Sequence, residues 1–357
     1  MSNSVFRYFE PVKSSEANGL VAHVYTQVKK DMGLVPAVPE PFAMHAPVPE
    51  ILAGVWGLFR ESLLAGRVRR GIKEAVATAV SESNQCPWCV DAHGVVLYAT
   101  GNGATVKAVL RHDPQEVSHA EMQAVVQWAV STRTPDAPML ANPPFASQVA
   151  AEMIGTAVTF HYLNRMVNVL LVPTNLPRNP WVKGAMKRAL GWLYTSSAHK
   201  AHVPGAALEL LPDAPLPTDL AWTESAPNVA GAFARFASVV EEAGTAVLSP
   251  EVRALVHSRL QAWRGEDPGL GRKWVEQAVE GLDEAAQAEG RLALLAVFAS
   301  HQVDEQVIKA FRTHHPADGD LVGALAWASF AAARRIGTWI VCPGTCSPPC
   351  SKSTTPS

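Results

Sequence analysis

Residues 86–93 read Cys86-Pro87-Trp88-Cys89-Val90-Asp91-Ala92-His93, and this stretch predicts both a helix and its chemistry. Proline suits the first position of a helix, where its missing N–H costs no hydrogen bond. Asn84 or Cys86 would then cap the helix, and Gly101 would end it. On such a helix Cys86, Cys89 and His93 share one face, because they are three and four residues apart.

The spacing predicts a dithiol/disulfide site. Both thiols would lie in the first helical turn, where unpaired N–H groups and the helix macrodipole favour a thiolate. His93, one turn further on, could accept or return a proton. A metal site that adds Glu74 to these residues is an alternative, and so is a pair of inert buried thiols. A glutaredoxin-like site is rejected, because that motif follows a strand and an alanine-rich helix is predicted before Cys86.

The bulk properties narrow the class of protein. The chain has 357 residues, 48% hydrophobic and 17% charged, with a formal net charge of -2. This length allows one large domain or two ordinary ones, and the near-neutral charge gives no reason to expect nucleic acid or a membrane as partner. No apolar signal segment opens the sequence, and polar residues interrupt the most apolar window, 153–172. Five cysteines without an export signal predict a reducing, cytoplasmic location.

Hydrophobic spacing predicts an all-α protein, because no run of alternating β-branched residues interrupts the helical patterns. Helices are expected over residues 68–82, 145–172 and 181–196, among others. The predicted organisation has four segments. They are a catalytic domain (1–172), a proline-rich connection (173–228), a second helical domain (229–340) and a disordered tail (341–357).

A faint internal repeat aligns residues 79–86 with residues 296–303. In that register Cys86 aligns with Val303 and Glu74 aligns with Arg291. The second half would then be a repeat that contributes to packing and has lost the chemistry. Chance similarity between alanine-rich helices is the alternative. The tail adds three cysteines among proline, glycine, serine and threonine, a context that favours disorder over a metal site: Cys342, Cys346 and Cys350.

Two further groups of polar residues have structural interpretations. On the predicted helix 145–172, His161, Asn164 or Arg165, and Asn168 form a polar stripe. It predicts a satisfied buried network or a subunit interface, with a place in the active-site wall as the alternative. On helix 68–82 the basic residues Arg69, Arg70 and Lys73 are expected on the outer side, where Glu74 could form a surface ion pair.

Glu74 stands twelve residues before Cys86, which gives the pattern Glu-x11-Cys-x2-Cys-x3-His. This pattern resembles the signature of the alkylhydroperoxidase AhpD, within the carboxymuconolactone decarboxylase superfamily. Segments 73–77 and 160–165 are also similar to that family, and the resemblance covers roughly residues 45–172. It implies an all-helical fold that assembles into trimers or hexamers, and a homo-oligomer is therefore expected. No flavin, nicotinamide or metal site is visible, because no glycine-rich phosphate loop follows a strand.

Carried over by position, the resemblance implies a thiol-dependent peroxidase that reduces hydroperoxides. Cys89 would be the peroxidatic cysteine, and Cys86, at the open end of the helix, would close the disulfide and meet a dithiol reductant. That reductant would be a lipoyl-type or peroxiredoxin partner. Glu74 and His93 would form the proton relay.

One residue departs from the family pattern. Trp88 stands where AhpD has a relay histidine, so the relay would run through His93 and Glu74 alone or through water. The cysteine pair argues against lactone decarboxylation. A non-enzymatic redox sensor that uses the same disulfide is the alternative function, and acid–base chemistry at the same pocket is a third.

Overall fold

The computed structural model describes residues 4–33, 37–110, 115, 117, 119–173 and 179–341. Within them the chain forms sixteen α-helices and no β-strand, with one isolated antiparallel bridge between Phe6 and Leu171. The all-α prediction is confirmed. None of the described helices is both long enough and apolar enough to cross a bilayer. The tail cysteines lie outside the described residues.

Nine helices precede the proline-rich segment, and a π-helical turn, Arg60–Leu64, directly continues the third of them. They are α1 Gly19–Met32, α2 Glu40–Ala43, α3 Pro49–Phe59, α4 Arg70–Ser83, α5 Pro87–Ala99, α6 Gly103–Leu110, α7 Ala120–Ser131, α8 Pro138–Ala141 and α9 Ala150–Leu170. Seven more helices come after α9, the first of them inside the proline-rich segment: α10 Pro180–Ala198, α11 Pro227–Val247, α12 Pro250–Ala262, α13 Lys273–Val279, α14 Glu284–Phe298, α15 Glu305–His314 and α16 Asp318–Val341.

The two predicted helical halves share one hydrophobic core. Its buried side chains run from Val21 in α1 to Ile340 in α16. Helix α9 packs on both α4 and α16, and α3 packs on α11. The domain boundaries and the duplication stay predictions. In both halves, however, a helix is followed after a short break by a second helix that packs on it, α4 with α5 and α14 with α15.

The turn between α4 and α5 positions the cysteines. Gln85 has a φ of 53°, and among the described non-glycine residues it alone has a positive φ. It lies in the short turn that joins α4 to α5, which packs on α4, and the Cys86 N–H donates to the Ser81 carbonyl at 2.9 Å. At the other end of α5, Gly101 has a φ of 80° and the Asn102 N–H donates to Leu97 O at 2.7 Å. The predicted stop at Gly101 is confirmed.

Helix α4 corrects one prediction. Lys73 is 1% exposed, and its Nζ donates to Ala65 O at 2.6 Å and pairs with Glu152 at 2.7 Å. Arg70 points inward to Glu74, so only Arg69 of the three basic residues is exposed, in an ion pair with Glu121. The outward placement of Lys73 and Arg70 is therefore wrong. Lys73 thus satisfies the buried carbonyl of Ala65, which follows the π-helical turn, and the largely buried carboxylate of Glu152 in α9.

Helix α10, inside the segment predicted as a connection, packs along α5. Asp91 of the cysteine motif forms ion pairs with Lys183 at 2.7 Å and Lys187 at 2.8 Å. The close approach depends on Gly191, because a Cβ there would lie 2.8 Å from Tyr98 Cβ and 3.0 Å from Val95 O. The proline-rich segment thus contributes the helix that covers the cysteine helix.

Replacing Gly191 tests this packing. The methyl group of Gly191→Ala would collide with α5, and we expect the free energy of unfolding to fall by about 1–3 kcal/mol. The measurement is urea unfolding followed by tryptophan fluorescence. Gly184→Ala is the matched control in the same helix, because the nearest atom to its Cβ is the Arg188 side chain at 3.8 Å. The control should be neutral or stabilised by up to about 1 kcal/mol; equal losses in both variants would contradict the packing.

Candidate active site

The two cysteines meet at the start of α5. Cys86 is the N-cap residue, and Cys89 lies in the first turn. Both are free thiols, and their sulfur atoms are 2.7 Å apart. Cys86 is completely buried and Cys89 is 3% exposed. The pair is close enough to form a disulfide with a small adjustment of the side chains.

Burial sets the protonation of Cys86. Desolvation in the core raises the pKa of the Cys86 thiol well above its usual value, and the neighbouring Cys89 sulfur raises it further. Hydrogen bonds with the Cys89 backbone and with Asn164 act in the opposite direction without offsetting it. The expected thiolate is therefore wrong for Cys86, because the loss of water outweighs the field of the helix N-terminus. The expected placement of Cys86 at an open end is wrong too, since its side chain is fully buried.

Glu74 lies on α4 and is completely buried. One carboxylate oxygen accepts from Arg70 Nε at 2.5 Å, and the other pairs with His93 Nδ1 at 2.6 Å. Burial by itself would raise the pKa of Glu74, but the charges and hydrogen bonds of Arg70 and His93 bring it below its usual value. Glu74 is an ionised internal carboxylate, and its interpretation as a surface ion pair is wrong.

This carboxylate orients His93. Because Glu74 can only accept, Nδ1 of His93 carries the proton of their hydrogen bond, and Nε2 is left to exchange a proton elsewhere. Two aromatic rings hold the imidazole in place. Phe160 lies edge-on with 4.5 Å between ring centroids, and Phe59 lies at 6.4 Å.

A cavity of about 530 Å³ opens beside Cys89 and His93. It is mainly apolar, with Arg70 and Tyr194 among its few polar side chains. The other lining residues come mainly from α2, α3, α5, α9 and α10: Met32, Pro39, Pro41, Phe42, Phe59, Trp88, Ala92, Val95, Val96, Phe160, Leu163, Val167, Leu190 and Leu193. Cys86 does not line the cavity, so only one of the two thiols, that of Cys89, faces it.

Helix α10 supplies a side of the cavity that was not predicted from the sequence. Leu190, Leu193 and Tyr194 line it, and burial raises the pKa of the Tyr194 hydroxyl. The available signal was their spacing of three and four residues, which places them on one helical face. The prolines around α10 predicted a connection instead.

The polar stripe on α9 forms a buried network. His161 and Asn164 are fully buried, and Asn84 Nδ2 donates to Asn164 Oδ1 at 3.0 Å and to His161 Nδ1 at 2.9 Å. His161 Nε2 bonds to Thr132 Oγ1 at 2.9 Å. Burial, with the charges of Arg165 and Arg133, lowers the pKa of His161 well below its usual value. The prediction of a satisfied network is confirmed, and through Asn164 it reaches Cys86.

The metal alternative gains no support from this geometry. Glu74 and His93 bond to each other. In the part of the chain that the structure describes, no group of three or more histidine, cysteine, aspartate and glutamate side chains could hold a metal ion.

Comparison with known proteins assigns the family. A Mycobacterium tuberculosis protein named alkyl hydroperoxide reductase is 41% identical over 333 residues, which cover 93% of this chain and 94% of the relative. The chain belongs to the AhpD-like alkylhydroperoxidase family. A solved structure of the alkylhydroperoxidase AhpD core, an uncharacterized peroxidase-related protein from Ralstonia eutropha, aligns with 52% of this chain and 98% of its own, with 19% identity and a TM-score of 0.39. That likeness is too weak to add to the assignment. No protein-family model matches the chain.

The structure also shows what replaces the expected relay histidine in this AhpD-like protein. Trp88 is half-buried and lines the cavity next to Cys89. Its indole ring adds to the apolar wall and offers no group that exchanges protons near neutral pH. His93, bonded to Glu74, is the imidazole that lines the cavity together with Cys89.

The raised pKa of Cys86 can be measured directly. In Cys89→Ser, alkylation of Cys86 by iodoacetamide should be slow at neutral pH and should still be rising above pH about 8.5, the range of an ordinary thiol. Mass spectrometry of the peptide that carries Cys86 separates it from the tail cysteines. The urea-unfolded variant is the control, because there Cys86 should titrate normally. A native alkylation rate that levels off near pH 7 would show that the thiol is not desolvated.

Proposed function

We propose that this protein reduces organic hydroperoxides with the Cys86–Cys89 pair and a dithiol donor. The observation that carries the proposal is the position of Cys89. It lies 2.7 Å from a second thiol and lines an apolar cavity together with His93. The name of the M. tuberculosis relative, alkyl hydroperoxide reductase, supports the same substrate class.

In the first step the Cys89 thiolate attacks the terminal oxygen of the hydroperoxide. The O–O bond breaks, an S–O bond forms, and the alkoxide leaves. We assign to His93 Nε2 the transfer of the thiol proton to the leaving oxygen, because Nδ1 is bonded to Glu74. The products are an alcohol and the Cys89 sulfenic acid, so the substrate gains two electrons and the sulfur loses two.

In the second step Cys86 attacks the Cys89 sulfenic sulfur. The S–S bond forms, and the sulfenic hydroxyl leaves as water with the proton from Cys86. The raised pKa of Cys86 keeps this residue a thiol in the first step, and in the second step its proton passes to the leaving hydroxyl as the S–S bond forms.

In the third step a dithiol donor reduces the disulfide through a mixed disulfide and leaves as a disulfide itself. A lipoyl-type or peroxiredoxin partner fits this role. Because Cys89 lines the cavity and Cys86 is buried, we place the first attack of the donor on Cys89 Sγ. A homo-oligomeric state and a cytoplasmic location stay predictions.

Steady-state turnover of cumene hydroperoxide with dihydrolipoamide tests the proposal. Wild type should turn over, and both Cys86→Ser and Cys89→Ser should lose at least about 10³-fold in kcat, because each step needs its own thiol. A variant that lacks all three tail cysteines is the control and should keep the wild-type rate. Consumption by wild type that equals the two serine variants would remove peroxidase function and favour the redox-sensor alternative.

The proposed proton relay of His93 and Glu74 predicts how substitutions of these two residues change the rate. His93→Gln should lower kcat/KM for cumene hydroperoxide by about 10²-fold or more, the range of general acid–base catalysis. Glu74→Gln should cost less, because it removes the orienting partner and leaves the imidazole. His23→Gln, on the exposed surface of α1, is the matched control. An unchanged kcat/KM in His93→Gln would exclude the imidazole from the reaction.

A further inference from the structure

A second cavity, of about 460 Å³, lies next to the one that holds Cys89. Its charged lining is mostly basic, and Glu121 is the one carboxylate among the described residues that line it. We call it the cationic pocket, and its basic residues are Arg69, Arg70, His119, His199, Lys200 and His202.

The cationic pocket retains positive charge after its internal pairs are formed. Arg69 pairs with Glu121 at 2.8 Å, where both side chains are exposed to solvent. Lys200 Nζ donates to the Lys30 carbonyl at 2.7 Å, a neutral acceptor that leaves the ammonium charge in place. His202 lies 3.7 Å from Asp31. Among the residues that the structure describes, Lys200 therefore has no carboxylate partner, and the pair of Arg69 with Glu121 is exposed to solvent.

The start of α4 adds to the positive electrostatic potential of the cationic pocket. Its N-cap, Arg69, supplies no side-chain acceptor to the helix, and Arg70, Gly71 and Ile72 of the first turn line the pocket. Unpaired N–H groups and the macrodipole make such a helix start partly positive. Helix dipole and side-chain charges thus act in the same direction.

The cationic pocket and the apolar cavity adjoin at Arg70, which lines both. They also follow each other along α10, because Tyr194 lines the apolar cavity and Ala198 lines the cationic pocket. These two residues are one helical turn apart, about 6 Å along the axis. One amphipathic molecule can therefore place an apolar chain in the first space and an anionic end in the second.

We propose that the cationic pocket binds the carboxylate of a fatty acyl chain that occupies the apolar cavity, so that fatty-acid hydroperoxides are the preferred substrates. The preference among hydroperoxides rests on the proposed peroxidase function. The binding of an acyl carboxylate does not, and it can be measured on an unreactive ligand.

The binding arm compares decanoate with decanol, which share a chain length and differ in charge. Each is titrated into the full-length protein at fixed ionic strength, with tryptophan fluorescence as the readout because Trp88 lines the cavity. We expect decanoate to bind about tenfold more tightly, the order that a few partly exposed charge pairs supply. In the double variant Arg69→Gln with Lys200→Gln this ratio should fall to about one.

The matched control changes the net charge equally at exposed positions outside both cavities: Arg188→Gln with Lys309→Gln. It should keep the tenfold ratio. Equal affinity of wild type for decanoate and decanol, or an unchanged ratio in the Arg69/Lys200 variant, would overturn the proposal. Inorganic phosphate that binds as tightly as decanoate would show a site for free anions and would also overturn it.

The kinetic arm compares linoleic acid hydroperoxide with its methyl ester. The kcat/KM of wild type should favour the acid about tenfold, and the Arg69/Lys200 variant should lose that preference. If wild type turns over neither these substrates nor cumene hydroperoxide, the peroxidase proposal fails. The binding measurements with decanoate and decanol then still test whether the cationic pocket binds a carboxylate. If it turns over acid and ester equally well, the substrate preference is wrong and the peroxidase proposal stands.

Discussion

The site depends on one buried carboxylate. Glu74 is out of contact with water, and an ionised group in that position is stable only when it is paired. Arg70 supplies one partner from the same helix, and His93 supplies the other from the next helix. The pairing joins α4 to α5 and fixes the histidine tautomer. It thereby leaves Nε2 as the ring nitrogen that the proposed mechanism uses.

The start of α5 places its two thiols in different surroundings. Cys86 faces the core, where loss of water keeps it protonated, whereas Cys89 reaches the cavity. The proposed mechanism uses this difference: the Cys89 sulfur reacts with the substrate, and the Cys86 sulfur closes the disulfide. Helix α10 maintains it by covering α5, through the ion pairs of Asp91 and the close contact at Gly191.

Local features of the site could be predicted from the sequence. Pro87 and Gly101 mark the ends of α5, and the spacing of Cys86, Cys89 and His93 places them together on any helix. What failed depends on distant packing. The prediction of a thiolate at Cys86 failed because the core removes water from this side chain. The prediction that Lys73 lies on the outer side failed because a carbonyl and a carboxylate from other elements bind it inside. The wall formed by α10 was missed for the same reason, because its partner surface lies about a hundred residues earlier in the chain.

The central claim is that Cys89 meets the peroxide and Cys86 closes the disulfide. The most direct test treats Cys86→Ser with one equivalent of cumene hydroperoxide in the presence of dimedone, which traps sulfenic acids, and locates the adduct by mass spectrometry. The account predicts a dimedone adduct on Cys89. It also predicts no adduct in wild type, where the intact pair closes to a disulfide first. An adduct on Cys86 in Cys89→Ser, with none on Cys89 in Cys86→Ser, would contradict it.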